Sequence, residues 1–112
     1  MINKQQAEHY SWGQNCDGWH LVRAERLSVI QERMPAHTSE VRHAHRQSRQ
    51  FFFVLVGTAL FELNGGQTIL QPQDGIEVPP GAPHQIRNES DDTLEFLVIS
   101  QPSSHGDRVF AE

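Results

Sequence analysis

The chain has 112 residues, 37% hydrophobic and 21% charged, which is one domain's worth of ordinary globular composition. A formal net charge of −5 with scattered Lys and Arg offers no electrostatic footprint for nucleic acid and no polybasic patch for a membrane surface. The single cysteine, Cys16, excludes an internal disulfide, and the polar stretch Met1–Tyr10 lacks the apolar core of a signal peptide, so cytoplasmic residence is expected.

In chain order, residues 1–18 read as a loosely structured N-terminal arm, punctuated by Gly13, Asn15, Asp17 and Gly18, with weak helical character only in the first ten residues. Trp12 and Trp19 are placed to pin this arm to the body of the protein. Trp19–Ala24 and Leu27–Met34 alternate and predict strands, separated from the next by a turn at Pro35–Ser39. Glu40–His45 predicts a strand, and Gln50–Val56 is a strongly apolar one that stops at Gly57. Thr58–Leu63 and Gln67–Leu70 flank Asn64-Gly65-Gly66, a hairpin signal because Asn and Gly tolerate positive φ. A turn at Gln71–Gly75 leads into Ile76–Val78. Pro79-Pro80-Gly81 precedes a strand at His84–Asn88, and Thr93–Ser100 closes the barrel, with residues 101–112 as a tail. Many short strands with Gly/Pro turns predict a single all-β sandwich or barrel spanning residues 19–100.

Two of the seven histidines are chemically suggestive. His43 and His45 are two apart on a predicted strand, so the period of two points both imidazoles to one face, where they can share a metal ion. An isolated pair of this kind is more often an ordinary surface feature. The wider pattern is more specific. His43-Ala-His45, then Gln50 after four residues and Gly57 after six more, precedes Pro79-Pro80-Gly81-Ala82-Pro83-His84 and Asn88. This pair of segments resembles the two signature motifs of the cupin superfamily over roughly residues 27 to 100.

The resemblance implies a single-domain double-stranded β-helix, the jelly-roll barrel of small RmlC-like cupins, with His43, His45 and His84 as metal ligands. It also implies a divalent transition metal (Zn, Ni, Fe, Mn or Cu) and a small-molecule ligand. Three positions depart from the pattern. His37 and Gln73 stand where the motifs usually carry Gly, and Gln50 stands where the family carries a Glu ligand. Gln keeps a carbonyl oxygen but brings no charge. A site of three imidazoles and an amide favours Zn²⁺, Ni²⁺ or Cu²⁺ over the harder Mn²⁺ and Fe²⁺. Loss of the metal, with the histidines kept as a polar pocket, is the competing reading.

If Gln50 points inward, alternation carries Phe52, Val54 and Val56 inward too. Phe52, Val54, Phe61, Ile86 and Phe96 are the residues expected to line the pocket. The family implies a metal-dependent enzyme acting on a small molecule, of isomerase or dioxygenase type, or else a non-catalytic ligand-binding or structural module. No general base stands out beside the ligands, which counts against hydrolysis. Arg42, Arg49 and Arg87 read as solvated charges, Glu77 as outward-facing, and His9, His20 and His105 as structural or exposed. Asp74 and Asn88 read as turn and hydrogen-bonding residues. Phe51, Phe53 and Leu55 form an outward apolar stripe, which a second subunit in a homodimer would cover, or else the N-terminal arm with Trp12 or Trp19.

Overall fold

Alternating apolar positions bury one side of most of the strands, so the chain stacks them into two layers that share those sides. The computed structural model of the chain describes residues 1–110. Its strands are β1 (Glu8–Trp12), β2 (Cys16–Arg23), β3 (Ser28–Met34), β4 (Thr38–Ser39), β5 (His43–His45) and β6 (Arg49–Val56). They continue with β7 (Ala59–Leu63), β8 (Gly66–Leu70), β9 (Gly75–Val78), β10 (His84–Asn88), β11 (Leu94–Gln101) and β12 (Arg108–Phe110). One antiparallel sheet runs β1-β2-β3-β11-β6-β9 and the other β12-β5-β10-β7-β8, with β4 beside β10. This is the all-β jelly roll expected from the sequence. No helix among the described residues is long and apolar enough to cross a membrane.

The two inner faces meet in a core of Met34, Val54, Phe61, Ile86, Leu94 and Phe96, all fully buried. Phe52 joins them, with its ring 4.9 Å from Phe61 and 6.0 Å from Phe96. Asn64 and Gly65 take positive φ in the β7–β8 hairpin, as their side chains predict. His37 (φ 60°) and Gln73 (φ 75°) also adopt the left-handed conformation. The barrel therefore keeps the backbone of the family's glycines at both positions without the glycine.

Three expectations need correction. The loose N-terminal arm is a hairpin: β1 pairs with β2 from Glu8↔His20 to Trp12↔Cys16, and β2 extends the first sheet through β3. The breakers Gly13 and Asn15 only make its turn, both with positive φ. The tail is not structureless either, because β12 pairs with β5 at Arg108↔His45 and Phe110↔His43. Finally, Val56 does not point inward. Phe96 pairs with Val54 and the adjacent Glu95 with Val56, so Leu55 is an extra residue in β6. Such a bulge reverses the alternation. Val56 thus sides with outward-facing Glu95 and is 51% exposed.

Candidate metal centre

The site begins with register. His43 and His45 share the inner face of β5, and His84 opens β10 directly opposite His43. Facing residues of an antiparallel pair project to the same side, so the three imidazoles must converge. Ring centroids lie 4.5 Å apart for His43–His84, 4.9 Å for His43–His45 and 5.8 Å for His45–His84. One ring nitrogen from each lies within 4.8 Å of the others. Among the described residues no other cluster of His, Cys, Asp and Glu side chains converges in this way.

The turn before β10 fixes His84. The Gly81 amide donates to the His45 carbonyl at 2.7 Å, joining the turn to β5. His43 Nδ1 lies 2.7 Å from the Val41 carbonyl and His84 Nδ1 3.1 Å from that of Ala82. A carbonyl only accepts, so each Nδ1 carries the proton and each Nε2 presents a lone pair. The residues are 2, 4 and 0% exposed for His43, His45 and His84. Burial, reinforced by the nearby Arg108 charge, holds His43 down to about 3; burial, then the His84 and Arg108 charges, brings His45 to about 4, and burial lowers His84 as well. All three are neutral and ready to ligate at neutral pH.

Gln50 points into the same space. Its Nε2 donates to Ser100 Oγ at 3.0 Å, its register partner on β11, which leaves the carbonyl Oε1 buried without a partner. His84 Nε2 is likewise buried and unpartnered. Unpartnered buried acceptors are costly, and a cation beside them removes that cost. Three neutral imidazoles and an orphaned amide oxygen therefore fit a divalent transition metal.

The cluster opens on a cavity of about 290 Å³, whose wall includes His43, His45, Gln50 and Phe52. Of the other residues expected there, Val54, Phe61, Ile86 and Phe96 lie fully buried in the core and are not on the wall. The barrel is too narrow to stay open beyond the histidine layer, so aromatic and aliphatic side chains fill it.

The wall also carries Trp12, expected only to pin the arm, and four residues to which the sequence assigned no role, Tyr10, Glu32, Glu40 and Arg108. Tyr10 donates to Glu32 Oε2 at 3.3 Å, and the Ile86 amide donates to Glu40 Oε1 at 3.0 Å. Burial lifts Glu32 to about 7, and burial together with the Glu32 charge lifts Glu40 to about 8. Burial and Glu32 also push the Tyr10 phenol well above its ordinary range. A signal for Glu32 was present, since it shares inward parity with buried Met34 on β3. Glu40 carried none, because the chain leaves strand geometry at 40–42 and alternation from His43 fails there.

The other candidates fall outside the cavity. Arg42 pairs with Glu62 at 2.9 Å, Arg49 with Glu77 at 3.5 Å and Arg87 with Glu89 at 3.9 Å. Asn88 is a structural ligand of the chain itself: its Nδ2 donates to the carbonyls of Met34, Pro35 and Asp92. Asp74 accepts from the Gln71 amide in its turn. Cys16 is buried and reduced, away from the three histidines.

A small antiparallel barrel with a buried three-histidine cluster defines a class, the single-domain β-barrels whose inner face could hold a metal ion. Within it the chain belongs to the cupin family, whose cupin-domain model matches residues 30–100. An uncharacterized protein of Methanocaldococcus jannaschii is 27% identical over 93 residues, 82% of this chain and 74% of that one. Among solved structures, a predicted oxalate decarboxylase from Thermotoga maritima superposes with a TM-score of 0.81 at 19% identity, covering 92% of this chain and 99% of that one. A polyketide cyclase from Streptomyces resistomycificus gives 0.81 at 19%, covering 100% and 86%. At such identities the likeness establishes the fold alone.

Proposed function

We propose that the chain is a metal-dependent enzyme that moves a proton on a small molecule, as an isomerase does. One observation carries this reading: the buried His43–His45–His84 cluster faces, across one cavity, two carboxyls whose pKa values sit near neutrality. A general acid–base works best when its pKa lies near the working pH. Glu40 keeps Oε1 on the Ile86 amide, so Oε2 is the atom that exchanges the proton. Glu32 accepts from Tyr10 through Oε2, so Oε1 is the oxygen available to exchange a proton. Bound at the histidines, a divalent ion supplies Lewis acidity to a substrate oxygen. Phe52 and Trp12 bring apolar surface to the wall and limit water there. Two carboxyls beside the cluster favour proton transfer over dioxygenase chemistry, which needs no such pair.

Elemental analysis of untagged protein tests the metal. About one divalent ion per chain is expected, and a metal-free preparation that also refuses Zn²⁺ and Ni²⁺ leaves the non-catalytic module standing instead. For the reaction, metal-loaded protein in D₂O with a panel of hydroxy acids and ketoses should catalyse deuterium incorporation at carbon, read by NMR. Glu40→Gln should lower that rate by about 100-fold while metal content holds. We also propose a twofold homodimer through the outer face of β6, argued below.

A further inference from the structure

Among the described residues Arg108 is the one Lys or Arg on the cavity wall, and the strand that carries it is an addition to the barrel proper. Its register partner is His45, so its side chain leaves β12 on the same face as the histidines. Among the described residues it forms no ion pair and no hydrogen bond through its guanidinium, unlike Arg42, Arg49 and Arg87, each paired with a glutamate. It is a solvent-exposed part of the cavity wall, within electrostatic reach of Glu32, Glu40 and all three histidines. An arginine with no direct ion pair among the described residues, on the wall of a cavity of about 290 Å³, is a planar fork of donors suited to a bidentate oxyanion.

We propose that Arg108 anchors the substrate by a carboxylate, and that the substrate is a small hydroxycarboxylate whose hydroxyl groups face Glu32 and Glu40. The inference rests on the enzyme reading above and names its substrate class. The opposing carboxyls favour a hydroxyl beside the anchored group: a carboxyl poised near neutrality accepts a hydrogen bond from a hydroxyl when ionised and donates one to it when protonated, whereas the second charge of phosphate is repelled by whichever carboxylate is ionised. The cavity lies at the small end of ligand sites, which suits an acid of a few carbons. Tyr10 reaches the cavity from β1, and its ring packs over Gly18, where any Cβ would collide with it. The two terminal additions, β1 from one end of the chain and β12 from the other, thus build the mouth.

The test uses Zn²⁺- or Ni²⁺-loaded protein titrated with malate, succinate and inorganic phosphate by calorimetry, with metal affinity measured separately. Malate is expected to bind more tightly than succinate or phosphate. Arg108→Met should weaken malate binding on the order of 30-fold, and Arg108→Lys by less, with metal affinity unchanged in both. Equal malate affinity in wild type and Arg108→Met, or no malate binding, overturns the anchor while leaving the metal centre intact. Succinate or phosphate binding as tightly as malate overturns the hydroxycarboxylate assignment. If no metal binds, but metal-free protein still takes malate in an Arg108-dependent way, the anchor stands and the metal reading falls.

Discussion

Gln50 is where the chemistry of this site departs most from its family's pattern. Its amide nitrogen is held by Ser100 and its carbonyl oxygen is buried beside the histidines without a partner. Gln50→Glu adds a negative charge there, so binding of Mn²⁺ or Fe²⁺ should tighten by about tenfold in a competition titration. No gain, or a loss, removes the charge argument. Protonation makes a second prediction for the metal-free protein. His43 and His45 titrate at about 3 and 4 in the folded state, against an ordinary value of 6.5. Below about pH 6.5 the unfolded chain binds the extra protons, so stability falls on acidification. Glu32 and Glu40 titrate at about 7 and 8, against an ordinary 4.5. Above that ordinary value the folded chain holds the extra protons, so stability also falls as pH rises toward 8. Thermal midpoints should therefore peak at about pH 6, and Glu40→Gln should flatten the alkaline limb. A flat profile from pH 6 to 8.5 in the wild type would contradict both.

Among the elements, the turns carry measurable strain. Gln73 holds φ 75° before β9, a conformation that costs a residue with a Cβ about 1 kcal/mol. Gln73→Gly should raise stability by about that amount in urea denaturation. At His37 the gain should be smaller, because His37→Gly also removes the 2.7 Å contact to Asp91. The converse holds at Gly57, where φ is 85° and an added Cβ would strike the Thr93 carbonyl. Gly57→Ala should cost about 2 kcal/mol or more. The β1–β2 hairpin depends on a different glycine. Gly18→Ala should displace the Tyr10 ring from the cavity and cost about 1–3 kcal/mol, visible as altered tyrosine fluorescence.

For the whole molecule, the open question is what covers the outer face of the first sheet. Phe51 and Phe53 stack there with centroids 6.1 Å apart, opposite Ile99 and Leu97 on β11. Phe51 is 38% exposed. The N-terminal hairpin does not reach them. Trp12 packs on the core, and Trp19 lies beneath the Lys4 ammonium, 4.7 Å from its ring. In register, Trp19 faces Gln31, Gln31 faces Leu97, and Leu97 faces Phe53, so β3 and β11 intervene across about 14 Å. The proposed cover is a second copy related by a twofold axis, which would bury on the order of 2,000 Å² in total. Light scattering at micromolar concentration should report a dimer, and Phe53→Asp should dissociate it. A wild-type monomer removes the proposal.

Legible from the residues alone were most of β2, β3 and the strands from β5 to β11, together with the turn at Asn64-Gly65, while β4 falls where a turn was expected; the convergence of His43, His45 and His84 was legible through the motifs. The strands and the turn follow from local periodicity and from backbone-specific residues, and the third histidine from the resemblance to the two cupin motifs. Position along the chain carried no such information for the ends. Gly13 and Asn15 signal a turn equally well in a loose arm and in a hairpin, and only pairing with β3 decides between them. Arg108 lies 63 positions from His45 and becomes its neighbour solely through the β5–β12 ladder. The acidic half of the cavity was decided the same way. A carboxyl acquires a pKa near neutrality only when other strands take its water away, and that burial is a property of the assembled barrel.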